Sequence, residues 1–164
     1  ELHTYIPVEA VLLPTSAYAA SKVAATSLSY AVSVQYNLEM IIARPFHVYG
    51  EGEDRRRFWP SLVNAAKQGE DFPMTYGEQI RNFQHVDETT NQIMELINNQ
   101  TVQSGFPLLV NLGSEKPQKL VDFAMSQWKN LNAVGSILPG AIPYRDNEIM
   151  HYTPKVESSD FTSH

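Results

Sequence analysis

Glu39-Met40-Ile41-Ile42-Ala43-Arg44-Pro45 is the stretch that decides the fold. It begins with a short apolar, β-branched run and closes on a proline that cannot continue a hydrogen-bond ladder. Such a run reads as a strand buried in a parallel sheet. Just before it, Tyr18 to about Tyr36 is Ala-rich and free of Gly and Pro, which suits a helix of about five turns. Ala24, Leu28, Ala31 and Val32 form an apolar stripe at helical spacing, with Tyr18, Lys22, Ala25 and Ser29 on the other face. Pro14-Thr15-Ser16 can lead into this helix, and Asn37 ends it. Helix, short turn and buried strand make the α–β half of a βαβ unit, which places the chain in the α/β or α+β class.

Beyond the strand, Phe46-His47-Val48-Tyr49-Gly50-Glu51-Gly52 reads as a loop at the carboxyl end, where open α/β sheets bind ligands. Residues 53–57, Glu-Asp-Arg-Arg-Arg, read as a solvated charge cluster. Phe58 to Gln68 suits a helix, with Pro60 in its first turn and Gly69 as its stop. Phe72 to Tyr76 and Asn82 to Val86 read as short strands. Asp87 has the chemistry to cap a helix from Glu88 to about Asn98, with Ile93, Leu96 and Ile97 on its apolar face. Leu108 to Leu112 is a further strand, and Leu120, Phe123, Ala124 and Trp128 mark an amphipathic helix after Pro117. Residues 1–17 read as a loop, and the tail from about Gly135 has little periodicity.

The composition bounds the function. At 164 residues the chain is about one domain long, and its net charge of −6 argues against general affinity for nucleic acid or an anionic membrane. It has no cysteine, so no disulfide framework and no thiolate metal site, in keeping with a cytoplasmic location. No apolar run is long enough to span a membrane. His85 and Asp87 are one residue apart, but a metal would need more ligands. The start at Glu1 rather than Met suggests a fragment or a processed chain.

Tyr18 and Lys22 are four residues apart and share a helix face. An ammonium beside a phenol favours the phenolate and equips the tyrosine as a general acid or base. With 8 Tyr and 6 Lys in the chain, chance alone supplies about 0.3 such pairs, so the pair gains its weight from its surroundings.

Those surroundings carry a resemblance. Pro14-Thr15-Ser16-Ala17-Tyr18-Ala19-Ala20-Ser21-Lys22, Ala43 to Gly52, Tyr76 to Glu88 and Val110-Asn111-Leu112-Gly113-Ser114 lie in order over roughly residues 5 to 125. At this order and spacing they resemble the extended short-chain dehydrogenase/reductase family, in its sugar-nucleotide epimerase/dehydratase/reductase branch. The resemblance implies the C-terminal part of a Rossmann-type parallel sheet with a smaller α/β substrate-binding domain. Residues 1–52 would end the Rossmann-type domain, and 53–164 would be mainly substrate domain interleaved with returning Rossmann elements. The family's Gly-x-x-Gly-x-x-Gly dinucleotide motif does not occur, and its catalytic Ser/Thr would lie before residue 1, so the N-terminal dinucleotide-binding half is absent.

The resemblance further implies NAD or NADP as cofactor, a nucleotide-diphosphate sugar as substrate and a homodimer. Tyr18 would move the proton of a sugar hydroxyl, and Lys22 would bond the nicotinamide ribose. Arg44 and Pro45 would end the strand under the cofactor, contacting it through backbone and shape; an Arg44 held by a buried carboxylate is an equal reading. His47 stands where the family commonly has Asn, and as a neutral imidazole it keeps one donor and one acceptor. Arg81 matches an arginine that contacts the diphosphate, against a surface ion pair, and Arg145 resembles a second. The rival expectation is a truncated, non-catalytic module for sugar-nucleotide binding or dimerisation.

Overall fold

The computed structural model describes residues 5–156. Helix α1 (Ala17–Tyr36) starts from Ser16, whose side chain accepts from the Ala19 N–H at 3.1 Å. It ends at Asn37, held in the left-handed region (φ 53°), where its N–H reaches the carbonyls of Ser33 and Val34. Strand β1 (Ile41–Pro45) follows and pairs in parallel with β6 (Leu108–Leu112), Ile41 opposite Leu108 and Pro45 opposite Leu112. Pro45 has no N–H to give, and the ladder resumes when Phe46 N–H donates to the Leu112 carbonyl at 3.2 Å.

Between these strands the chain makes β2 (His47–Tyr49), α2 (Phe58–Gln68), β3 (Phe72–Met74), β4 (Ile80–Arg81), β5 (Phe83–His85) and α3 (Val86–Asn99). After β6 come β7 (Gln118–Lys119), α4 (Leu120–Asn130), β8 (Ile137–Pro139) and β9 (His151–Tyr152). β2 pairs in parallel with β5, β3 with β8, and β4 lies between antiparallel β7 and parallel β9.

Two apolar cores result. In one, Leu96 of α3 packs with Val110 and Leu112 of β6, supported by Ile41 and Ala43 of β1. In the other, Leu62 and Ala65 of α2 meet Phe72, Met74, Ala124 and Trp128. The arrangement is α/β with parallel strands.

Five expectations change. Residues 47–49 form a strand rather than loop, because β5 supplies a partner that three residues cannot advertise alone. The strand expected over 82–86 is the shorter β5, preceded by β4 at Ile80–Arg81, with α3 starting at Val86. His85, not Asp87, is therefore the cap: its Nδ1 accepts from the Asp87 N–H at 3.3 Å, and Asp87 sits in the first turn, where a carboxylate favours the helix dipole. The tail beyond Gly135 carries two short strands. Finally, the apolar stripe of α1 stays open: Leu28 is 66% exposed, and Ser33 is the helix's buried residue.

Gly50 joins β2 to the next loop at φ 149°, and a Cβ there would lie 2.6 Å from Val86 Cγ1. The close pass of this loop over the start of α3 requires glycine.

Candidate active site

Because Ser16 sets the first turn of α1, Tyr18 and Lys22 fall one turn apart on an open face. Lys22 Nζ lies 5.5 Å from the centroid of the Tyr18 ring, a cation–π placement, and Tyr18 is 73% exposed. Among the described residues neither the hydroxyl nor the ammonium is tied to another side chain by a hydrogen bond or ion pair. Both are free to meet a ligand.

At the carboxyl end of β1, Arg44 Nη1 donates to the Val8 carbonyl at 2.9 Å. Its register partner Asn111 donates from Nδ2 to the Ile6 carbonyl at 3.0 Å. Together they fasten the segment that leads into α1 across the two strand ends. The guanidinium thus holds backbone, not the carboxylate considered above. Arg44 Nε is buried and unpartnered.

A second group of residues gathers around His47. Its ring centroid is 5.7 Å from that of Tyr152 and 5.9 Å from that of Phe83, both edge-on. Burial, then the charges of Arg81 and Arg57, push its pKa down to about 4. Its Nδ1 is buried without a partner. Arg81, 12% exposed at its side chain, donates from Nη2 to Glu148 Oε1 at 3.1 Å and to the Ile149 carbonyl at 2.5 Å. Its Nη1 donates to the Ile80 carbonyl at 2.9 Å. Burial lowers the Arg81 pKa, and the Glu148 carboxylate opposes that effect. Arg57 Nε pairs with Glu53 Oε1 at 3.0 Å, and Glu53 Oε2 is buried and unpartnered. The charges of two guanidiniums therefore reach a neutral imidazole, and each guanidinium is matched by a carboxylate. Arg145 is exposed; its carbonyl accepts from the Glu148 N–H at 3.1 Å.

The His47 environment gives a pH dependence. The unfolded chain takes up this proton near 6.5 and the native chain only near 4, so the unfolded state binds more protons in between. Stability falls as the pH drops through that window, by roughly 3 kcal/mol for this one group. Denaturant titrations of wild type and His47→Gln at several pH values should show a shallower acid decline in the variant; parallel curves would refute it.

The structure brings His47 and Arg81 together and sets Tyr18 beside Lys22. Sequence reading missed Glu148 and Tyr152, which the β4–β9 pairing delivers from 67 and 71 residues beyond Arg81. It also set aside Arg57, whose charge reaches His47 although Glu53 pairs with it. Tyr49 packs against Phe123, His85 and Trp59, a structural role, with burial raising its pKa. Among the described residues no group of three His, Cys, Asp or Glu could hold a metal, and no helix is long and apolar enough to cross a membrane.

Parallel strands joined through helices, with candidate ligand groups at their carboxyl ends, define an α/β protein of the Rossmann type. The chain belongs to the NAD dependent epimerase/dehydratase family, whose model matches residues 3–113. It is 30% identical over 118 residues to CDP-abequose synthase of Salmonella typhimurium, covering 70% of this chain and 39% of that protein. It superposes with a TM-score of 0.77 on UDP-N-acetylglucosamine 4-epimerase from Methanobrevibacter ruminantium, solved in complex with UDP-N-acetylmuramic acid, at 21% identity over 91% of this chain and 47% of that one. With UDP-glucuronic acid 4-epimerase from Bacillus cereus, solved in complex with NAD, the TM-score is 0.69 at 18% identity, over 96% and 53% of the two chains. The chain thus spans about half the length of these solved structures. By their names, these proteins act on CDP- or UDP-linked sugars.

Proposed function

We propose that this chain carries the catalytic and substrate-binding part of an NAD(P)-dependent epimerase, dehydratase or 4-keto-reductase acting on a nucleotide-diphosphate sugar. The observation that carries this reading is the uncommitted Tyr18/Lys22 pair on the open face of α1, within a chain of this family. Tyr18 Oη takes or returns the proton of a sugar hydroxyl. Lys22 orients Tyr18 and presents its ammonium to a ribose hydroxyl. Arg81 holds the diphosphate with a guanidinium fork, and His47 and Arg145 complete the substrate side. Arg44 and Pro45 shape the strand end against the cofactor. The donors present fit such a group: among the described residues the Lys22 ammonium is unpaired and Arg44 Nε lacks a partner. NAD or NADP, when bound, supplies the hydride acceptor and donor.

The two separate cores support a division into a Rossmann-type part and a substrate part. The open stripe on α1 is compatible with a homodimer, and the lack of cysteine with the cytoplasm. A second reading is a sugar-nucleotide-binding or dimerisation module without turnover. Calorimetry with UDP tests the substrate side common to both. Losing charge-assisted bonds from Arg81 should weaken UDP binding by about 10–100-fold in Arg81→Ala; unchanged affinity would remove Arg81 from the site. Conversion of a nucleotide sugar in the presence of NAD, absent in the module reading, separates the two.

A further inference from the structure

Arg81 is the candidate diphosphate holder, yet its guanidinium is already engaged. Nη2 is shared between the Glu148 carboxylate and the Ile149 carbonyl, and Nη1 is on the Ile80 carbonyl. A carboxylate asks of a guanidinium what a phosphate asks: two oxygens facing a planar fork of N–H donors. The pair is mostly out of water, with side chains 12% and 21% exposed, so solvent screens it less than a surface pair.

We propose that Glu148 is a built-in competitor for the anion seat at Arg81, and so sets the affinity of the site for a diphosphate. This rests on the reading of Arg81 given above. The ligand's phosphate oxygens replace the carboxylate, and Glu148 swings out with its turn. The backbone allows this. Glu148 lies outside the short ladder in which Ile80 and Arg81 pair with His151 and Tyr152, and its N–H is bonded only locally, to the Arg145 carbonyl. The carboxylate can leave without unpairing β9. Glu53 repeats the arrangement at Arg57, the other cation whose charge reaches His47. Each of the two arginines whose charge reaches His47 is thus matched by a carboxylate.

Calorimetric titration of the full chain with inorganic pyrophosphate and, separately, with UDP tests the idea. Glu148→Gln keeps the side-chain shape but removes the competing charge. It should bind both probes about tenfold more tightly than wild type, equivalent to about 1.4 kcal/mol. In the Arg81→Ala background the same substitution should give no tightening, because the seat is gone. Equal or weaker pyrophosphate binding by Glu148→Gln overturns the proposal. Weaker UDP binding with unchanged pyrophosphate binding overturns it in favour of a direct contact from Glu148 to the nucleoside. If Arg81→Ala weakens UDP but Glu148→Gln tightens nothing, only the competitor falls. If Arg81→Ala leaves UDP binding intact, the reading of Arg81 falls with it. Glu148→Ala, which keeps no hydrogen-bonding group, serves as a second variant with the same expected sign.

Discussion

Tyr18→Phe, made in an enzyme that includes this chain and binds NAD(P), lowers kcat for its nucleotide sugar by about 10²–10⁴-fold, the span of a lost general acid–base group. The variant isolates one atom. Phenylalanine keeps the ring that lies under Lys22 Nζ at 5.5 Å, so the cation–π placement survives. The Tyr18 ring is 73% exposed and its hydroxyl has no side-chain partner among the described residues, so no structural hydrogen bond is broken. Melting temperature and UDP affinity should therefore stay within error of wild type while turnover collapses. That combination distinguishes chemistry from folding. A kcat within threefold of wild type, measured at saturating substrate, would remove Tyr18 from the reaction.

The largest expected stability effect lies in the other core. Leu62→Ala should destabilise the chain by about 2–5 kcal/mol in denaturant unfolding, through lost burial and the cavity left behind. Leu62 is 0% exposed and belongs to a cluster with Ala65, Phe72, Met74, Ala124 and Trp128, drawn from α2, β3 and α4. Aromatic rings meeting edge-on, such as Phe58 against Phe72, do not slide easily into the gap. Leu28→Ala in the same chain is the matched control. Leu28 is 66% exposed on α1, so its truncation should cost no more than about 0.5 kcal/mol. Comparable losses at the two positions would mean that α1 buries its stripe in this chain after all.

That contrast shows where sequence reading succeeds. Helical spacing correctly put Leu28 on an apolar stripe, but it cannot say whether a partner surface is present. Only packing reveals that α1 leaves the stripe open. For α2 the local signals sufficed: Pro60 in the first turn, and Gly69 in the left-handed region at φ 70°, bracket Phe58–Gln68 as read. The Tyr18/Lys22 face and the Arg44-Pro45 strand end were likewise legible, since both follow from spacing along a single element.

The residues around Arg81 were legible only in part. Arg81 and His47 stood out by their motifs, whereas the carboxylate that matches Arg81 sits 67 positions away, on a turn before a two-residue strand. A strand that short has no periodicity to read; β2, β4, β7, β8 and β9 exist because a neighbour pairs with them. The same limit moved the cap of α3 from Asp87 to His85, since β5 runs to the helix without a gap. What the sequence by itself determined is the α/β class, the long helices, the β1 and β6 strands and the identity of the candidate catalytic pair, because each is written in the local pattern of residues along a segment. What only the tertiary structure decided is the charge state around His47 and the occupant of the Arg81 fork, because both depend on burial and on groups that meet only when distant segments pair.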